Sequence, residues 1–230
     1  MRQEDNMKFQ DKKAIFFDLD GTLIDSVPDL AIAINKMLKQ LGRESFKEET
    51  IRYWVGNGAR VSVSRALSGS VEVDKALTPE LIEEALAIFF PFYEKSLTVS
   101  TKLYPNVKET LDRLHKKYRL VVVTNKPVEF VEPILKGFGI YELFEFYIGG
   151  NSLEKKKPDP MPLLYVCEKL NISVDEAVMV GDTQNDILSA NRANMQSIGL
   201  TYGYNYGQPI SSFNPDLVVD DFSDILKSFL

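Results

Sequence analysis

Asp18 and Asp20 stand two residues apart, directly after the apolar run Ala14-Ile15-Phe16-Phe17. A third carboxylate, Asp182, follows the similar run Ala177-Val178-Met179-Val180 and Gly181. Thr124 and Asn125 follow a third run, Leu120-Val121-Val122-Val123. Carboxylates that converge repel one another and call for a cation. With oxygen donors alone that cation is Mg²⁺ or Mn²⁺ rather than zinc. His115 is the only histidine and Cys167 the only cysteine, so a multi-histidine or multi-cysteine metal site and an intramolecular disulfide are excluded.

The elements that must position these groups are short strands. A continuous apolar run suits a strand buried on both faces, as in a parallel sheet. Weaker strand signals lie at Phe144 to Ile148, Ser197 to Leu200 and Leu217 to Val219. Helical spacing links Val107, Leu111 and Leu114, then Phe130, Ile134 and Phe138, then Met161 to Leu170 and Ile187 to Ala193. Strand and helix therefore alternate from about residue 104 onward, which predicts an α/β fold, a doubly wound Rossmann-like parallel sheet. Ligands of such sheets sit beyond the carboxyl ends of the strands, where the polar residues above fall.

Residues 26–100 break the rhythm. Ser26 can cap a helix opened by Pro28 and Asp29, with Leu30, Ile34, Met37, Leu38 and Leu41 as its apolar stripe and Gly42 as its stop. Leu81, Ile82, Ala85, Phe89, Phe92 and Tyr93 make a second stripe, which Pro91 should kink or divide. Shorter helices are expected over Ile51 to Val55 and Val61 to Leu67. The expected organisation is a discontinuous core, 1–25 and 101–230, with an inserted helical cap domain at 26–100.

Four segments in order carry a resemblance. Asp18-Leu19-Asp20-Gly21-Thr22-Leu23-Ile24-Asp25-Ser26, Thr124-Asn125-Lys126, Lys157-Pro158-Asp159-Pro160 and Gly181-Asp182-Thr183-Gln184-Asn185-Asp186 resemble the four motifs of the haloacid dehalogenase-like phosphatase superfamily. Within it the pattern is most similar to the bacterial phosphoglycolate phosphatases. The resemblance implies a Mg²⁺-dependent phosphate monoester hydrolase working through an aspartyl-phosphate, with 2-phosphoglycolate as substrate. It implies Asp18 as nucleophile and Asp20 as acid and base. Thr124, the Asn125 backbone N–H and Lys157 would bind the phosphoryl group. Asp18, the Asp20 backbone carbonyl and Asp182 would hold the metal, and Asp186 would orient Lys157 or a metal-bound water. Without the resemblance, Lys155-Lys156-Lys157 reads as a solvated face, and Lys155 and Lys156 are assigned to one.

Substrate choice should come from the cap. In Trp54-Val55-Gly56-Asn57-Gly58-Ala59-Arg60, two glycines flank Asn57 and allow close backbone approach. Asn57, Gly58 and Arg60 are the candidate substrate contacts, with Arg60 suited to a small carboxylate. Trp54 is expected to pack in the cap, His115 to be exposed and Cys167 to be buried. Tyr202 to Gly207 reads as a mobile surface loop. Pro133 suggests a helix kink. A pyrophosphatase, a nucleotidase, a sugar-phosphate phosphatase or a phosphosugar mutase would keep the same motifs. Asp20 argues against a dehalogenase. Phosphonate hydrolysis would need a cap lysine at the mouth, such as Lys36 or Lys39. A non-catalytic phospho-ligand binder would not need the acid pair.

Composition bounds the rest. The chain has 230 residues, 44% hydrophobic and 26% charged, which excludes a mainly disordered polymer. A formal net charge of -6 argues against a nucleic-acid partner. No apolar run approaches the ~20 residues of a transmembrane helix, and Met1 to Lys13 is polar. A cytoplasmic enzyme acting on a small phosphorylated metabolite is the expectation, with oligomeric state left open.

Overall fold

The computed structural model describes residues 8–229. The first part of the polar segment Met1 to Lys13 lies outside them. In chain order the elements are β1 (Ala14–Phe17), β2 (Ile24–Asp25), α1 (Val27–Gln40), α2 (Glu48–Arg52), α3 (Ala59–Ser68), α4 (Pro79–Glu94) and β3 (Lys102–Leu103). They continue with α5 (Val107–Leu114), β4 (Arg119–Val123), α6 (Val131–Gly137), β5 (Phe146–Ile148) and α7 (Met161–Leu170). The chain then runs through β6 (Ala177–Gly181), α8 (Gln184–Ala193), β7 (Gln196–Leu200), β8 (Leu217–Val219) and α9 (Leu226–Phe229).

Six strands form one sheet in the order β5-β4-β1-β6-β7-β8, and every pairing is parallel. This is the α/β architecture expected from the alternation. The apolar runs are continuous because the sheet is covered on both faces. Ile15, Phe17, Leu120, Val122, Val178 and Val180 enter one core, while Ala14, Phe16, Val121, Val123, Ala177 and Met179 enter the other. Strand β1 lies between β4 and β6, so the three strand ends that carry Asp18, Thr124 and Asp182 are neighbours at the switch point of the sheet.

Helices α1 to α4 fall between β1 and β3, and their apolar stripes join the first of those cores through Leu30, Ile34, Met37, Phe89 and Tyr93. The chain crosses into and out of this helical segment through β2 and β3, paired antiparallel as Ile24–Leu103 and Asp25–Lys102. A second tie joins the crossings. The buried Asp29 carboxylate accepts hydrogen bonds from Ser100 N (2.9 Å), Thr101 N (2.7 Å) and Thr101 Oγ1 (2.7 Å). Asp29→Ala strands these donors and should cost about 2–4 kcal/mol, read as a lower urea midpoint at unchanged slope.

Three local expectations are corrected. Pro91 does not divide α4, which runs unbroken to Glu94. Phe89 and Tyr93, on the buried face of the same helix either side of Pro91, stack with ring centroids 5.5 Å apart. Pro133 falls in the first turn of α6, where its missing N–H has no intrahelical partner to lose. Ser26 stands at the N-cap of α1 but makes no side-chain cap bond, because its hydroxyl donates to Asp20 Oδ1 at 2.5 Å. Trp54 packs edge-on against Phe46, Cys167 is buried and His115 is exposed, as expected.

Candidate active site

The β1 end delivers Asp18 and Asp20 in different directions. Asp18 faces Lys157, whose Nζ lies 3.1 Å from Asp18 Oδ1 and 2.5 Å from Asp186 Oδ1, with Val123 O as a further acceptor. Asp18 Oδ1 has no aligned hydrogen bond of its own. Asp20 instead meets Lys126, whose Nζ donates to Asp20 Oδ1 at 2.7 Å and Oδ2 at 2.9 Å. The ammonium also lies 4.9 Å from the ring centre of Tyr93, on α4.

Asp182, from the β6 end, accepts from Thr22 Oγ1 (2.7 Å) and from Tyr204 N (2.7 Å). Gly21 and Gly203 press on this carboxylate so closely that a Cβ at either position would collide with it. At Gly21 the φ of +91° adds a second reason for glycine. Asp186 caps α8, accepting from Thr183 N (3.0 Å) and Thr183 Oγ1 (2.9 Å). Thus Asp186 serves the helix start and Lys157 together.

Asp18, Asp182 and Asp186 each place a carboxylate oxygen within 4.8 Å of the others, all buried. Burial, and then the neighbouring Asp186 and Asp18, hold Asp182 well above the usual carboxylate range. Burial pushes Asp18 up to about 6; Lys157 opposes this, while Asp186 and Asp20 add to it. A cation would relieve the same repulsion. Oxygen donors, crowded acids and an Asp18 Oδ1 with no aligned hydrogen bond fit Mg²⁺ or Mn²⁺.

Thr124 and Asn125, at the β4 end, are buried beside this cluster. Asn125 Nδ2 donates to Lys157 O (2.9 Å) and to Gly56 O (3.1 Å), so one side chain joins the lysine segment to the loop between α2 and α3. The loop is held further by Asn185 Nδ2 to Gly56 O (3.2 Å), Lys156 Nζ to Asn57 O (2.7 Å) and Tyr206 Oη to Asn57 Oδ1 (2.5 Å). Beneath it lies a cavity lined by Asp18, Asp20, Thr124, Asn125, Lys126 and Tyr93, and also by Gly58.

The sequence-predicted residues therefore divide. Asp18, Asp20, Thr124, Asn125 and Gly58 meet at the cavity, and Lys157, Asp182 and Asp186 stand behind Asp18. Asn57 is tied to Lys156 and Tyr206. Arg60 turns outward, half exposed, to pair with Glu83, and is not brought to the cavity. Lys36 and Lys39 are exposed and do not line it either.

Two readings of the sequence are overturned. Lys156 is not on a solvated face, since its stem is half-buried and its ammonium holds the Asn57 carbonyl. Tyr202 to Gly207 is no free surface loop. Tyr202 Oη donates to Thr22 O (2.8 Å), Tyr204 Oη to Asp25 Oδ1 (2.6 Å), and Tyr204 and Asn205 are buried. The tyrosines supply hydroxyls to the site's backbone and acids, a role that their lack of basic neighbours could not reveal. Sequence reasoning also missed Lys126 and Tyr93 as site residues. The signal for Lys126 was its place straight after Thr124-Asn125.

The family profile described as Haloacid dehalogenase-like hydrolase matches residues 15–200. The chain belongs to that family. It is 51% identical over 222 residues to a phosphoglycolate phosphatase of Psychrobacter arcticus, covering 96% of each chain. It is 49% identical over 223 residues to one of Colwellia psychrerythraea, covering 96% of this chain and 99% of the relative. The crystal structure of a predicted phosphoglycolate phosphatase from Haemophilus somnus is similar to this hydrolase with a TM-score of 0.89 and 44% identity, covering 95% and 98% of the two chains. Among the described residues of this hydrolase, no helix is long and apolar enough to cross a membrane.

Proposed function

We propose that this hydrolase is a Mg²⁺-dependent phosphatase whose substrate is 2-phosphoglycolate. The observation that carries the reading is the cavity at the strand ends, where Asp18, Asp20, Thr124 and Asn125 come together beside an acidic cluster. The relatives named phosphoglycolate phosphatase support the choice of ester. In this reading 26–100 is a helical cap over a core made of 1–25 and 101–230.

An Asp18 oxygen attacks phosphorus while the bond from phosphorus to the leaving oxygen breaks, which gives an aspartyl-phosphate. Asp20 hands its proton to the leaving oxygen. It then takes a proton from the water whose oxygen attacks phosphorus, the bond to Asp18 breaks, and inorganic phosphate leaves. The Thr124 hydroxyl and the Asn125 backbone N–H donate to phosphoryl oxygens, and Lys157 balances their charge. Asp186 keeps the Lys157 ammonium aimed at Asp18. Asp18, Asp182 and the Asp20 backbone carbonyl would hold the metal, which would supply charge neutralisation between two anions.

The test is phosphate release with and without Mg²⁺ from 2-phosphoglycolate, sugar phosphates, nucleoside monophosphates and pyrophosphate. Phosphoglycolate should lead in kcat/KM. Even turnover across the panel would sink the substrate assignment, and no release from any ester would sink the phosphatase assignment.

Metal binding has a pH signature. Asp18 binds its proton more tightly folded than unfolded, so in metal-free protein its contribution favours the fold below about pH 4 and is lost as pH rises through about 6. Mg²⁺ replaces what is lost. At about a hundred times its Kd it should add roughly 2.7 kcal/mol at pH 7.5, some 5–10 °C in Tm. The increment should shrink at pH 5.5, where protons compete for the same oxygens. An increment independent of pH would place the ion elsewhere.

A further inference from the structure

Tyr202, Gly203 and Tyr204 lie between β7 and β8, outside the four sequence segments that carry the chemistry, yet each of them bears on Asp182. The Asp182 carboxylate has one donor at each oxygen, Thr22 Oγ1 on Oδ1 and Tyr204 N on Oδ2, both at 2.7 Å. A Cβ at Gly203 would collide with this carboxylate. Gly203 has no positive φ, so the close approach to Asp182 is by itself the reason for glycine there.

The tyrosine hydroxyls anchor both donors. Tyr202 Oη donates to the carbonyl of Thr22 (2.8 Å), the residue whose own hydroxyl grips Oδ1. Tyr204 Oη donates to Asp25 Oδ1 (2.6 Å) and accepts from Ser26 N (2.9 Å), which fixes the residue whose N–H grips Oδ2. The ends of the stretch are tied as well. Thr201 N donates to Val219 O (3.2 Å), and Asn205 Oδ1 accepts from Gln184 N (2.8 Å).

A carboxylate offers about four acceptor positions, so about two stay open on Asp182. The stretch 202–204 decides where those two point. A carboxylate held in place before an ion arrives gives up less freedom on binding it than one that must first be ordered. Neither tyrosine lines the cavity in front of Asp18.

We infer that Tyr202 and Tyr204 are positioning residues that set the affinity for Mg²⁺ by holding Asp182, without touching the ion or the ester. The inference rests on the reading of Asp182 as a metal carboxylate and goes beyond it.

The experiment measures the Kd of Mg²⁺ by titration calorimetry at neutral pH without substrate, with urea unfolding of the metal-free proteins alongside. Tyr202→Phe and Tyr204→Phe should each raise Kd by about tenfold. Gly203→Ala should raise it by roughly a hundredfold, because the carboxylate must swing aside. With Mg²⁺ well above the raised Kd, phosphate release by the two phenylalanine variants should return to within about twofold of wild type, since no group at the ester has changed. Asp29→Ala, which loses stability through Ser100 and Thr101 instead, should bind Mg²⁺ as wild type does. Unchanged Kd in all the variants would overturn the inference and leave Asp182 free to be a ligand. Binding weakened as much in Asp29→Ala as in the tyrosine variants would overturn it too, because general loosening would then account for the effect. If Gly203→Ala does not fold, the phenylalanine variants decide. A wild type that binds no Mg²⁺ would remove the metal reading itself.

Discussion

Asp18→Asn is expected to abolish phosphate release while leaving the fold at least as stable as before. The amide keeps the shape of the carboxylate but is too poor a nucleophile to open the covalent route, so the loss should be about 10⁴-fold or greater. Stability should move the other way. Asp18 is buried among Asp182 and Asp186, and burial is the main reason that its proton affinity is raised to about 6. Removing that charge at pH 7.5 should return on the order of 2 kcal/mol to the metal-free protein. Lys157 is not orphaned, because Asp186 keeps it at 2.5 Å. Thermal unfolding without metal and a phosphate-release assay, on the same preparation, check both halves. Residual turnover above a hundredth of wild type would mean that Asp18 does not form the covalent bond.

Lys157→Met should damage both activity and stability. Lys157 is a fully buried cation, and it spans Asp18, Asp186 and the Val123 carbonyl. Burial alone would lower its proton affinity, but the two aspartates more than reverse that. Methionine fills the space and leaves the acids unbalanced. Breaking one side of a buried pair costs about 3–5 kcal/mol, near 10 °C in Tm for a chain of this size. The loss of charge on the phosphoryl oxygens should remove about 10²–10³ in kcat. Two secondary signs separate this from general misfolding. Mg²⁺ should restore more stability to Lys157→Met than to wild type, and so should acidification, since both neutralise the stranded carboxylates. A variant equally stable at every pH and metal concentration would place the lysine outside the charge network.

The opposite stability signs of these two substitutions follow from one fact: the cluster holds more acid than base. That excess is also why an oxygen-binding cation would fit between Asp18 and Asp182, and why Asp186, already committed to Lys157 and the α8 cap, is the carboxylate best neutralised by protein alone.

Much of this was legible in the residue string, because it is written in local chemistry. A buried parallel strand must be apolar on both faces, so β1, β4 and β6 appear as continuous runs, and the groups that end them are polar because the carboxyl ends of the strands are where ligands bind. That rule alone brings Asp18, Thr124 and Asp182 together. The helices of 26–100 were legible from apolar spacing, though the division allowed for at Pro91 does not occur, since α4 runs unbroken to Glu94. What only the tertiary structure decided is which long side chains turn inward. Lys126, Lys155, Lys156 and Lys157 look alike along the chain, yet one meets Asp20, one is exposed, one holds the Asn57 carbonyl and one lies under Asp18. Arg60 and Tyr93 make the same point, the arginine drawn out to Glu83 and the tyrosine turned in to line the cavity beside Lys126. A flexible four-carbon stem has no periodicity to betray its direction. That direction is fixed by charges supplied from other segments, some of them more than a hundred residues away, which no local pattern encodes.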